Sequence, residues 1–128
     1  MRLSEQPEYL TAIPAALNGD FETARASLKS LIARAREQQA LEQVAYLTHV
    51  LADVEVRAGD QKQFHSLHAS AIAMFPDVPL EYIHYATGLL KHLGDRPGAL
   101  AQLAKAEQLL GTQRWTATGD DLSERWYR

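Results

Sequence analysis

Apolar residues recur at three- and four-residue spacing along most of the chain. After Asp20, the residues Phe21, Ala24, Leu28, Leu31 and Ile32 fall on one face of a helix. Phe64, Leu67, Ala71 and Ile72 do the same after Asp60, and Ala99, Leu103, Ala106 and Leu110 after Asp95. This is the period of an amphipathic helix with one buried stripe. Leu47, Val50, Leu51 and Val54, and then Tyr82, Ile83, Ala86, Leu89 and Leu90, supply apolar faces ahead of the second and third of these segments. The pattern predicts helices over 5–18, 21–37, 41–58, 61–75, 80–93 and 96–110.

The polar breaks between them are regular. Gly-Asp occurs at Gly19-Asp20, Gly59-Asp60 and Gly94-Asp95, at intervals of 40 and 35 residues. Glycine takes the left-handed conformation that ends a helix, and aspartate caps the free N–H groups that start the next one. Asp60 followed by Gln63 fits a capping box. No Gly or Pro lies between Phe21 and Ala58. A turn near Gln38–Ala40 is nevertheless expected, because one helix of that length would not close the hairpins. Pro7 suits a first turn, whereas Pro14 removes a hydrogen bond and should kink or split the first helix. Repeat periods of this size point to helical hairpins. The expected class is all-α, with about three antiparallel hairpins over residues 1–111 and a distinct tail over 112–128.

Composition narrows this only slightly. The chain has 128 residues, enough for one domain. Alanine and leucine dominate the apolar set, which favours helix over strand. With no cysteine, thiolate chemistry and Cys-based zinc sites are excluded. The opening MRLSEQPEYL lacks a signal-peptide core, and no apolar run is long enough to span a membrane. A cytoplasmic protein without membrane contact is expected. The net charge of −3 argues against a nucleic-acid partner. The basic stripe Arg25, Lys29 and Arg36 reads as a solvated outer face.

The stretches AGDQKQFHSLHASAIAMFP, LGDRPGALAQLAKAEQLLG and NGDFETARASLKSLIARA together resemble the tetratricopeptide repeat, over roughly residues 5–111. The second ends in Gly111 where the family closes with proline, and Phe64 stands where the family places a small residue. The resemblance implies a stack in which the first helix of each hairpin lines a concave groove. Carried over position by position, that groove presents Tyr9, Tyr46, His49, Asp53, Arg57, Glu81, His84, Lys91 and His92. It implies a non-catalytic module that binds a protein or peptide segment. Members that grip the C-terminal carboxylate of heat-shock chaperones use Lys, Asn and Arg at inner positions held here by Tyr9, Ile13, Val50, Glu81 and Tyr85, so that clamp is not expected.

Independently of the resemblance, His49, Asp53 and Arg57 are spaced four residues apart and form one stripe. The stripe is either a binding surface or a solvated face on which Asp53 and Arg57 pair. His65 and His68 can share a helical face, as zinc ligands do. However, the general-base Glu of H-E-x-x-H is missing, and His68 occupies the repeat position held by Leu28 and Leu103. Packing is its expected role, with no metal and no cofactor. Two other readings stay open: a small helical chaperone for secreted or assembly proteins, and a metal-dependent enzyme using His49, Asp53 and His84. The tail carries Trp115, Leu122 and Trp126. It is expected either to cap the last hairpin or to dock on a second copy as a homodimer.

Overall fold

The computed structural model describes Leu3 and residues 6–116, with the side chains of Leu3 and residues 6–111. Among the described residues there are six helices and no strand: α1 (Pro7–Leu17), α2 (Phe21–Glu37), α3 (Leu41–Arg57), α4 (Gln61–Met74), α5 (Pro79–Leu93) and α6 (Arg96–Thr116). They belong to two units, Met1–Met74 with α1 to α4 and Phe75–Arg128 with α5 and α6. In the first, α2 packs on α1, α3 on α2 and α4 on α3; in the second, α5 packs on α6. The protein is all-α, built from neighbouring helices packed in pairs.

The turns explain the pairing. At the end of α1, Gly19 has φ of 83° and Asp20 N–H donates back to the Ala15 carbonyl. At the end of α3, Gly59 has φ of 95° and Asp60 N–H donates to Glu55. Both are left-handed helix stops with a six-to-one hydrogen bond. The α2–α3 turn has the same bonding without a glycine: Gln39 takes φ of 56° and Ala40 N–H donates to Ala35. The chain therefore turns at Gln38–Ala40, as hairpin closure demands, although a residue with a Cβ must sit in the left-handed region. Gly94, with φ of 61°, ends α5.

The caps follow their expected chemistry. The side chains of Asp20, Asp60 and Asp95 accept from the backbone N–H of Thr23, Gln63 and Gly98, at 3.2, 3.0 and 3.0 Å. Pro7 opens α1, as predicted. Pro14 does not split it: the helix runs unbroken to Leu17. Proline at 14 cannot donate to the carbonyl of Leu10. Leu10 is exposed, so water can satisfy that oxygen. The sixth helix also runs past its expected end, through Gly111 to Thr116.

The core of the first unit joins Ala12 and Ala16 of α1, Ala24, Leu28, Leu31 and Ala35 of α2, and Val44, Leu47, Leu51 and Val54 of α3. Small residues on α1 and larger ones on α2 and α3 let the helices approach closely. Each fully buried leucine contributes about 1.5–3 kcal/mol. Phe64 and Ala71 bury the inner face of α4. The repeat position shared by Leu28, His68 and Leu103 behaves unevenly. Leu28 and His68 are 0% exposed, whereas Leu103 is 42% exposed on α6.

Candidate functional site

The third helix organises the first unit. It packs between α2 and α4, so its buried face is wide: Val44, Ala45, Leu47, Thr48, His49, Leu51, Ala52, Val54 and Glu55 are all inside. Its solvent-facing residues include exposed Tyr46, half-buried Asp53 and exposed Arg57, beside Glu42 at its start and half-buried Val50 and Val56. The Tyr46 hydroxyl lies 3.1 Å from that of Tyr9 on α1. Two phenols from separate hairpins thus meet at one place. Burial raises the Tyr46 hydroxyl to about 12, helped by the hydrogen bond to Tyr9 and by the negative charges that Tyr9 and Asp53 can carry. It therefore remains a neutral hydroxyl at any physiological pH.

His49 and Glu81, both expected in a groove, lie inside. His49 is 2% exposed and Glu81 8%. His49 is turned inward because α3 is covered on two sides, and four-residue spacing from Asp53 and Arg57 does not keep it in their strip. Its Nδ1 lies 2.6 Å from Nδ1 of His68 on α4, with the rings tilted by 38°. Nε2 of His68 reaches Oδ1 of Asp53 at 3.2 Å. The ring of Phe64 stands edge-on to His68, centroids 4.7 Å apart. His68 is thus a core residue, as its repeat position predicts, and its polar atoms are satisfied by α3. Two imidazole nitrogens on one zinc ion would stand about 3.3 Å apart, given bonds of 2.0–2.1 Å and a tetrahedral angle. The shorter contact is a hydrogen bond, and among the described residues no group of three such side chains is arranged so that it could hold a metal ion.

Ion pairs lock the surrounding helices. Arg25 of α2 embraces Glu55 of α3, Nε to the two carboxylate oxygens at 3.0 and 3.1 Å and Nη2 to Oε1 at 2.5 Å. Arg25 is consequently held by α3 and is not one charge of a freely solvated outer stripe. The carboxylate beside it raises its pKa further. Arg34 of α2 donates to Glu8 at 2.6 and 3.2 Å and to Gln6 at 2.9 Å. That contact holds the Glu8 carboxyl below its ordinary value.

The second unit holds the remaining groove candidates. On α5, His84 and His92 are half-buried and Lys91 is exposed. Tyr82 is buried and donates its hydroxyl hydrogen to the Pro76 carbonyl at 2.6 Å. Burial, followed by the charge of Asp95, raises the Tyr85 hydroxyl. Between α5 and α6 lies an apolar cleft of about 340 Å³, lined by Pro79, Ile83, Leu100, Leu103, Ala106, Glu107 and Leu110. Of the tail residues proposed for capping or docking, Trp115 falls in the final turns of α6 without a described side chain. Leu122 and Trp126 lie outside the described residues.

Two pairings escaped the linear pattern. His49 precedes Gly59 by ten residues and His68 follows it by nine, so an antiparallel hairpin closing at Gly59 brings them level. That near-symmetry was the available signal. Arg25 and Glu55 carry a similar mark, fourteen residues before Gln39 and sixteen after it, about the turn that joins α2 to α3. No family model matches the chain, and neither a curated protein nor a solved structure does. Among the described residues, no helix is long and apolar enough to cross a membrane.

Proposed function

We propose that this chain is a non-catalytic protein-interaction module of tetratricopeptide type, which takes a protein or peptide segment on the face shared by α1 and α3. The observation that carries the reading is the Tyr9–Tyr46 hydroxyl contact. It joins the first helices of successive hairpins through two aromatic rings, one of them 36% exposed. Aromatic side chains and arginine dominate the energetics of protein interfaces. Tyr46, Asp53 and Arg57 offer a ring, an acid and a guanidinium along two to three turns of one helix. A segment of mixed charge is the ligand that suits them. A purely acidic one would meet Asp53, and a purely basic one Arg57.

The test is selection of binders from a displayed library of random twelve-residue peptides, followed by titration of the enriched peptide against variants. Y46A and R57A are expected to weaken binding at least tenfold while the helical circular dichroism stays unchanged. K29A and R36A, on α2, are expected to leave it unchanged. The reverse pattern would place the surface elsewhere, and the reading would fail.

A further inference from the structure

We propose that His49 and His68 form a one-proton lock between α3 and α4: the folded hairpin holds at most one positive charge on the pair, and a second proton opens it. The argument rests on counting hydrogens. The two Nδ1 atoms lie 2.6 Å apart, a distance that accommodates a single proton between them. Whichever ring donates, the other must present a lone pair. The pair therefore carries three N–H groups at most, where two free imidazolium rings would carry four.

The neutral state is readily written. His68 donates Nε2–H to Oδ1 of Asp53 at 3.2 Å, which leaves its Nδ1 bare to accept Nδ1–H from His49. Of the four ring nitrogens, Nε2 of His49 is the position at which an added proton leaves both of these hydrogen bonds intact. A second has to go to Nδ1 of His68, where the lone pair is already engaged. Two N–H groups would then face each other at 2.6 Å. With the rings 2% and 0% exposed, water cannot enter to separate them without opening the interface.

The charged groups around the pair do not remove the restriction. On α3, Asp53 balances one positive charge, and Glu55 is already paired with Arg25 of α2. On α4, His65 is exposed and packs against the other side of the network through Phe64, centroids 5.1 Å apart. Arg57 and Asp60 stand exposed at the turn end of the hairpin. The Asp53 carboxylate bonds the pair directly and favours one added proton, without providing room for a second between the two Nδ1 atoms. The unfolded chain, by contrast, protonates both rings near pH 6.5. It then binds at least one proton more than the folded state, so stability rises with pH and falls on acidification.

The experiment is urea unfolding of the full chain between pH 8 and pH 5, compared with H49L/H68L. Leucine is what the first hairpin carries at the position of His68. Between pH 6 and pH 5 the wild-type folding constant is expected to fall about tenfold more steeply than that of the double variant. The control H65Q should retain the wild-type slope. Parallel slopes for wild type and H49L/H68L would overturn the proposal. If the double variant does not fold, nitrogen-15 spectra of the wild-type imidazoles at pH 5 decide. Three N–H groups on the pair in the folded protein support the lock, and four refute it.

Discussion

Arg25 on α2 and Glu55 on α3 are joined side-on, with both carboxylate oxygens engaged by one guanidinium. The Glu55 side chain is 10% exposed and that of Arg25 30%, so the pair sits at the edge of the core. Removing one partner strands the other. R25M is expected to cost about 2–3 kcal/mol in urea unfolding, because it leaves a buried carboxylate unpaired. R25M/E55L should recover most of that loss. If R25M alone is neutral, the pair contributes nothing to helix docking.

Gln39 performs in the α2–α3 turn what glycine performs in the turns at Gly19 and Gly59. A residue with a Cβ is strained at φ of 56°. Q39G is therefore expected to stabilise the protein by about 0.5–1 kcal/mol, after allowing for the extra freedom glycine has in the unfolded chain. G59A should act in the opposite direction, since its φ of 95° suits no L side chain. Thermal unfolding midpoints for the two variants check both signs.

The Tyr46 hydroxyl titrates at about 12, against an ordinary value of 10. The folded state therefore holds this proton more tightly than the unfolded one. The stabilisation is complete below pH 10 and is lost as pH rises through 12. Since Tyr85 is raised as well, absorbance at 295 nm should show a tyrosine ionising in that upper range whose contribution disappears in Y46F. Y9F should lower its midpoint by removing the hydrogen-bond partner, while burial keeps it above 10. A Y9F midpoint equal to the wild type would mean that burial alone sets the value.

Leu28 and Leu103 hold the same place in the repeat, yet one is fully buried and the other 42% exposed. L28A is expected to cost about 2–5 kcal/mol through lost burial and a residual cavity. L103K should change stability by less than about 0.5 kcal/mol, as exposed substitutions do. Urea midpoints for the two variants should differ accordingly. A large loss from L103K would show that the α5–α6 cleft is covered in solution.

Much of this protein was written in local sequence. Helix positions followed from apolar spacing, because a helix needs only one stripe to bury. The turns at Gly19, Gly59 and Gly94 followed from residues that can adopt positive φ, with an aspartate behind each to cap the next helix. The tertiary structure decided what periodicity leaves open. Spacing places His49 in line with Asp53 and Arg57, but a helix enclosed by α2 and α4 has room for only a narrow exposed strip, and His49 lies outside it. Arg25 looks like one charge of an outer stripe until α3 brings Glu55 against it. Gln39 shows the limit from the other side: the turn there comes from α2 and α3 packing on each other, which holds a residue whose own preference is against that conformation. Local preference is a matter of a kilocalorie or so per residue, and the burial of two helix faces outweighs it.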